Sequence, residues 1–223
     1  MQFYLNDQQI EVGNRYMVNA GYAGCNQDVV KAHIEELAAI GVNVPKQVPT
    51  FYPVPVQQLS QGPRIQVGHE KTSAEIEYVF IRSKGKTYLT VGSDHSDREL
   101  ETHSVCAAKQ ICPNVIADQL WAYEEVSDHL DKLQLVCEVY EDSDGWRVCQ
   151  DGWASDLLSP GQLLELGKDA IPTADDIVLY SGTIPTIGEI TFGRRWRITM
   201  NDTKLQRKIA FTYEVEVLPA CIE

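Results

Sequence analysis

The run Glu75-Ile76-Glu77-Tyr78-Val79-Phe80-Ile81 constrains the fold more than any other stretch of the chain. Read as a strand, it sends Glu75, Glu77, Val79 and Ile81 to one face and Ile76, Tyr78 and Phe80 to the other. Both faces are apolar over much of their length, whereas an ordinary half-buried strand turns its carboxylates to solvent. Here they share a face with Val79 and Ile81. Partly buried, mutually repelling carboxylates need a compensating charge. With Asp94, near the start of Ser93-Asp94-His95-Ser96-Asp97-Arg98-Glu99, they read as a three-carboxylate site for a hard divalent cation.

The surrounding pattern is rich in strands. Alternation over residues 1–20, with Asn6-Asp7 as turn residues, predicts a hairpin. A helix follows over 27–40: Asn26 or Asp28 caps it, Val29, Val30, Ile34, Leu37 and Ile40 recur at helical spacing, and Gly41 stands at its end. Pro45, Pro49, Pro53, Pro55 and Pro63 exclude regular helix through residue 65 and predict a loop-rich crossing segment. Beyond it, strands are expected at 75–82, 86–92, 133–140, 145–149, 176–181, 194–200 and 207–218, and helices at 96–108, 115–130 and 159–167. Many strands with few helices favour a β-rich α+β roll or sandwich over a doubly wound parallel sheet. There is no internal repeat, linker or phosphate-binding glycine loop, and the expectation is one domain over 1–223, with 1–65 packed on a 66–223 β-roll.

Charge and cysteine usage narrow the setting. A net charge of -13 over 223 residues makes nucleic acid and anionic membrane surfaces poor partners, because both are bound by clustered Lys and Arg. No run reaches the roughly 18 apolar residues a membrane helix needs. Six scattered cysteines without a CxxC pair predict reduced, largely buried thiols in a cytoplasmic protein.

On the first helix, His33 falls inside the apolar stripe and Glu36 at its edge, neighbours at i, i+3. Two readings fit: a core histidine beside a surface glutamate, or a carboxylate-oriented general base that activates water. Ser96 and Glu99 fit a capping box, which places Asp94 just ahead of a helix; in the plainer reading Asp94 and Asp97 are only helix-start acids. A rival metal set of His95 and His103 lacks a zinc-like spacing. Lys109 is a lone cation after many acids, either solvated or poised on a substrate carboxylate or enolate. The turn Ser181-Gly182-Thr183-Ile184-Pro185, after a strand-like run, offers backbone amides and the Thr183 hydroxyl to a carboxylate.

These motifs, taken in order, resemble the fumarylacetoacetate hydrolase superfamily over nearly the whole chain. His33-Ile34-Glu35-Glu36 with Pro45-Lys46-Gln47-Val48-Pro49-Thr50-Phe51 is similar to its His-x-x-Glu helix and Pro-rich approach, and Glu75-Ile76-Glu77 to its metal strand. Ser93–Glu101 is similar to its Asn-Asp-x-(Ser/Thr)-Ala-Arg-Asp-x-Gln motif, Lys109 falls near its active-site lysine, Gln150–Leu158 resembles its Gln-x-Gly stretch, and Ser181–Pro185 its Thr-Gly-Thr-Pro turn. Thr72–Glu77 and Gly92–Glu99 also resemble signatures of a bacterial subgroup of unknown function.

The resemblance implies a mixed β-roll that dimerises and a Mg²⁺ or Mn²⁺ ion on Glu75, Glu77 and Asp94. It implies His33 with Glu36 as water activator or proton shuttle and Lys109 as a further catalytic group, with Glu101, Gly182 and Thr183 around a carboxylated small-molecule substrate. The expected reaction is hydrolysis of a carbon-carbon bond in a 2-oxo or 1,3-dicarbonyl acid. Decarboxylation, isomerisation or dehydration on the same site, and non-catalytic binding of a carboxylate, are the alternatives. Glu101 departs from the usual Gln, and Pro53 stands where many members carry a Lys.

Overall fold

A computed structural model of the chain describes residues 1–39, 44–171 and 175–222; the side chains of His33 and of residues 36–39 also fall outside the description. In chain order the first part forms β1 (Gln2–Leu5), β2 (Gln8–Glu11), β3 (Tyr16–Gly21), α1 (Gln27–Ala39), β4 (Thr50–Val54), β5 (Leu59–Ser60) and β6 (Arg64–Val67). The middle forms β7 (Thr72–Ser73), β8 (Ile76–Ser83), β9 (Lys86–Asp94), β10 (Ser96–Asp97), α2 (Arg98–Glu101), α3 (Val105–Ile111), β11 (Asn114–Ile116), β12 (Gln119–Ala122) and α4 (Tyr123–Val126). The last part forms β13 (Leu133–Glu141), β14 (Gly145–Trp153), α5 (Pro160–Leu166), β15 (Ile177–Tyr180), β16 (Arg195–Asp202) and β17 (Arg207–Val217).

The hairpin of β8 and β9 is the spine. Its turn needs left-handed backbone at Lys84 (φ 52°) and Gly85 (φ 72°), the geometry that matches strand twist in a tight hairpin. On either side, β8 and β9 belong to a mixed ten-stranded sheet ordered β2-β1-β12-β9-β8-β15-β3-β4, with β11 and β5 attached through β9. A five-stranded sheet, β14-β13-β16-β17-β6, packs across it, with β13 against β8 and β16 and β17 against β9. The β-rich α+β class expected from the sequence is the class observed.

The faces of β8 separate as strand alternation requires. Ile76, Tyr78 and Phe80 enter the core between the two sheets, with Leu133, Leu135, Trp196, Ile198 and Met200. Val79 and Ile81 enter a second core inside the curl of the ten-stranded sheet, with Phe3, Met17, Ile116, Leu120 and Val178. Burying side chains of this size contributes roughly 1.5–3 kcal/mol each, which holds β8 on both faces.

Several expectations need correction. The stretch 115–130 is not one helix but β11, β12, α4 and a 3₁₀ turn at Leu130–Lys132. Val115, Ala117 and Trp121 face one core while Ile116 and Leu120 face the other, so the apolar residues alternate between two layers and only mimic helical spacing. The helix expected at 96–108 is split into α2 and α3. Asp97, not Ser96, caps α2 through the N–H groups of Glu99 and Leu100, and Ser104 caps α3. The segment after Pro45 has no α-helix but is more ordered than a loop: β4 pairs with β3, and Pro53, lacking an N–H, is tolerated because β4 is an edge strand. On α1, Asn26 caps and Val30 is buried, but Val29 is 54% exposed; Ile40 and Gly41 lie outside the described residues. All six cysteines are free, though only Cys112, Cys137 and Cys149 are buried. Among the described residues no helix is long and apolar enough to cross a membrane.

Candidate metal and substrate site

Inside the curl, the residues lining the sheet grade from apolar to polar along the strands. On β3 Met17 gives way to Asn19, on β8 Ile81 and Val79 to Glu77, on β11 Ile116 to Asn114, and on β9 the same face ends at Asp94. The hairpin register gathers the acids. Glu77 lies opposite Gly92, Ile76 lies opposite Ser93, and the Asp94 N–H donates to the Glu75 carbonyl at 3.0 Å. Glu75, Glu77 and Asp94 thereby present carboxylate oxygens within 4.8 Å of one another.

Two glycines make room. A Cβ on Gly92 would stand 2.7 Å from the Val115 carbonyl and 2.8 Å from the Tyr180 ring, so a side chain there would force Tyr180 out of the interior. Gly182 adopts φ +85°, which lets its N–H turn back to donate to Glu77 Oε2 at 2.8 Å. Gln150 pins this turn to the strand. It accepts from the Ile76 N–H at 3.0 Å and donates to Thr183 Oγ1 at 2.9 Å and the Ile184 carbonyl at 2.6 Å. Thr183 in turn donates to the Ile76 carbonyl at 2.8 Å.

Two cations face the acids. The buried Lys109 ammonium donates to Glu75 Oε2 at 3.1 Å and to Asp94 Oδ2, and stands 6.0 Å from the Tyr52 ring centroid. Arg98 donates to Glu75 Oε1 at 3.0 Å, Glu101 Oε2 at 2.9 Å and Ser73 Oγ at 2.7 Å. The charge that Glu101 brings is thus paired. Burial pushes Glu75 up, but Arg98 and Lys109 together outweigh it and hold its carboxyl at about 2. Glu77 is raised by burial and by the Asp94 charge beside it, with Lys109 opposing. Burial likewise raises Asp94, to about 6, against the pull of Lys109. Lys109 is driven upward because Asp94, Glu75 and Glu101 outweigh its own burial.

The donor set fits a hard divalent ion. It is all oxygen, three carboxylates converge, and Asp94 Oδ1 is buried without a hydrogen-bond partner. Glu77 meets only one protein donor, the Gly182 N–H, in the hydrogen bonds described for it. The His95–His103 alternative is excluded. His95 spends Nδ1 on the Tyr213 hydroxyl and Nε2 on Thr72 Oγ1, both at 2.9 Å, while His103 is exposed. Burial, with Arg98 nearby, lowers His95 to about 3.

Of the residues singled out in the sequence, Glu75, Glu77, Asp94, Lys109, Glu101, Gly182 and Thr183 come together. His33 and Glu36 lie on α1, and their side chains fall outside the described residues. Arg98, Gln150, Asn19 and Asn114 were not picked out as site residues. Arg98 carried a signal, standing i, i+3 from Glu101 in an acid-rich run. Asn19 carried another, as the polar member of the apolar strand Tyr16–Gly21.

A family model described as Protein of unknown function (DUF2848) matches residues 20–213. The chain belongs to that family. No curated protein matches its sequence. Among solved structures, the apo form of 2-keto-3-deoxy-D-arabinonate dehydratase is similar with a TM-score of 0.66 and 13% identity, over 98% of this chain and 79% of that one. An inhibitor complex of Cg1458 gives 0.65 and 17%, over 94% and 78%. The 4-oxalocrotonate decarboxylase from Pseudomonas putida G7, complexed with calcium and acetate, gives 0.52 and 15%, over 93% and 78%. The fold is that of the fumarylacetoacetate hydrolase superfamily.

Proposed function

We propose that the chain is a divalent-metal-dependent enzyme acting on a 2-oxo acid. The observation that carries this reading is the convergence of Glu75, Glu77 and Asp94 at the buried, polar end of the roll, with one Asp94 oxygen left unpartnered. The comparisons add support: the same dehydratase has been solved with magnesium and 2,5-dioxopentanoate, and the decarboxylase with calcium and acetate. A Mg²⁺ or Mn²⁺ ion on the three carboxylates would polarise a 2-oxo acid and offset negative charge developing on its carbonyl oxygen.

Around it the chain's own groups divide the work. Gly182 N–H orients Glu77, and Arg98 holds Glu75 while drawing Glu101 close. Lys109, the ammonium already among the acids, neutralises the substrate's charge. Glu101 and the Gly182–Thr183 turn border the bound acid. His33, oriented by Glu36, moves the proton, an assignment resting on the sequence motif and on α1 starting just beyond Tyr22. Tyr22 stands near enough to Glu101 and Lys109 to feel both charges.

Hydrolysis of a carbon-carbon bond in an acylpyruvate-like acid is the first assignment. Dehydration or decarboxylation is the second, favoured by the activities named for the fold's solved relatives. The reading includes a reducing, cytoplasmic setting, supported by the six free thiols, and a homodimer, for which exposed Ile187, Ile190 and Phe192 offer an apolar face. Light scattering on the purified chain tests the dimer by its mass.

All these reactions develop carbanion character at C3, the carbon next to the 2-oxo group, so one assay covers them. Purified protein with Mn²⁺ in D₂O is incubated with pyruvate, oxaloacetate and acylpyruvates, and proton exchange at C3 and pyruvate release are followed by NMR. Ion-dependent exchange or turnover is expected. Ion binding without exchange or turnover on any of these acids would leave a carboxylate binder in place of an enzyme.

A further inference from the structure

Below the three carboxylates, the interior of the roll holds two asparagines that strand packing does not account for. Asn19 on β3 and Asn114 on β11 are both completely inaccessible, and neither the Oδ1 nor the Nδ2 of either meets a hydrogen-bond partner. Their backbones put them in one belt with the acids. Asn19 is in register with Tyr180 on one side and Tyr52 on the other, and Asn114 stands directly opposite Asp94. Asn19 stands near the Asp94 carboxyl and Asn114 near the Tyr180 phenol, each short of hydrogen-bond geometry. The remaining unpartnered carboxylate oxygen at this level is Asp94 Oδ1.

Buried amides are satisfied in nearly all folded proteins, and each exception calls for a reason. Packing supplies none here, since leucine has nearly the same shape and would cost nothing in desolvation. The surroundings supply one. Of the six buried side-chain atoms without a partner among the described residues, five, four amide and one carboxylate, belong to this belt, and the sixth is Arg207 Nη2 on β17. An amide offers both a donor for a carboxylate and an acceptor for an ion's water, which is the pairing that orients metal ligands in protein sites.

We propose that Asn19 and Asn114 are positioning residues for the divalent ion, a polar floor that fixes the free Asp94 oxygen and receives the ion's water. The inference rests on the three carboxylates being an ion site, and it assigns ion affinity to two residues outside the carboxylate set. Removing such partners typically weakens metal binding about 10- to 100-fold.

The test titrates MnCl₂ into the full chain by calorimetry and measures thermal unfolding without added metal. Asn19→Leu and Asn114→Leu should each weaken Mn²⁺ binding roughly 10- to 100-fold, while their melting temperatures without metal match or exceed that of the unsubstituted protein. A purely structural role predicts the reverse, lower melting temperatures with unchanged affinity, and that result overturns the proposal. If the leucine variants do not fold, Asn19→Ser and Asn114→Ser, which keep a donor, should bind Mn²⁺ more weakly than the unsubstituted chain; equal affinity overturns the proposal. Failure of the unsubstituted chain itself to bind Mn²⁺ would instead remove the ion site, and this inference with it.

Discussion

Among the described residues, two clusters of buried charge are built on opposite principles. Around Asp202, at the end of β16, the acids are paired. Oδ1 accepts from His129 Nε2 at 3.1 Å and from the Leu205 N–H at 3.0 Å, and Oδ2 accepts from Arg207 Nε at 3.2 Å. Arg207 also reaches Glu125 and lies over the Trp121 ring, and Lys204 takes Asp128 at 2.6 Å. Around Asp94, three carboxylates converge on one another, Lys109 is shared between two of them, and an oxygen is left over. Removing two charges from water costs several kcal/mol per ion unless geometry and hydrogen bonds return it. The acids of the Asp202 cluster meet that condition from within the chain, although Arg207 Nη2 is left without a partner, and the cluster reads as a structural pin. The Asp94 cluster does not, and the same arithmetic makes it a site for a cation from outside.

Substitutions should therefore behave in opposite ways. The largest effect is expected at Glu77→Gln, which keeps the shape and replaces an anionic ligand with a neutral amide. Mn²⁺ affinity should fall roughly 1,000-fold, about 4 kcal/mol, and the Mn²⁺-induced rise in melting temperature should vanish. An undiminished rise would move the ion elsewhere. Asp202→Ala should cost about 3 kcal/mol in urea unfolding, because it strands Arg207 and His129, while ion affinity stays as it was; a matching loss of affinity would couple the two clusters. Lys109→Met should destabilise the protein by about 3 kcal/mol without added metal and enlarge the melting shift that Mn²⁺ produces, since the ion then relieves acids that have lost their ammonium. A shift no larger than that of the unsubstituted chain would break this contrast.

The smallest effect is the pin's own pH dependence. Burial pushes Asp202 up, but the Leu205 N–H, His129 and Arg207 outweigh it and hold the carboxyl below its ordinary value. Its folded form thus keeps fewer protons than its unfolded form. The resulting stability is fully present above the unfolded carboxyl value of about 3.9 and is lost as pH falls through the depressed folded value. Urea unfolding of the unsubstituted chain and of Asp202→Asn should converge as pH drops below about 4. A gap that stays constant with pH would assign the effect to packing.

How much of this could be read from residues alone differs between the two clusters. Glu75 and Glu77 were legible because strand alternation put them on a face with Val79 and Ile81, and Asp94 because it opens an acid-rich turn. Those are local signals, and the hairpin that joins them is short. The Asp202 pin was not legible, since its partners arrive from separate elements and none stands out in its own neighbourhood. The helix expected over 115–130 failed for a related reason: Val115 and Ile116 face different cores, and only the pairing of β11 with β9 shows it. Glu101 stood out only as a departure from the usual Gln, because the contact with Arg98 that neutralises its charge is made in the folded state. Asn19 and Asn114 pass for ordinary polar residues until their complete burial is seen.

The central claim is that Glu75, Glu77 and Asp94 together hold a divalent ion. Anomalous diffraction from crystals grown with MnCl₂ tests it most directly. The account predicts a manganese peak at about 2.1–2.3 Å from an oxygen of each of the three carboxylates, with the Lys109 ammonium moved off Asp94. A peak elsewhere, or none while Lys109 still spans Glu75 and Asp94, would contradict it.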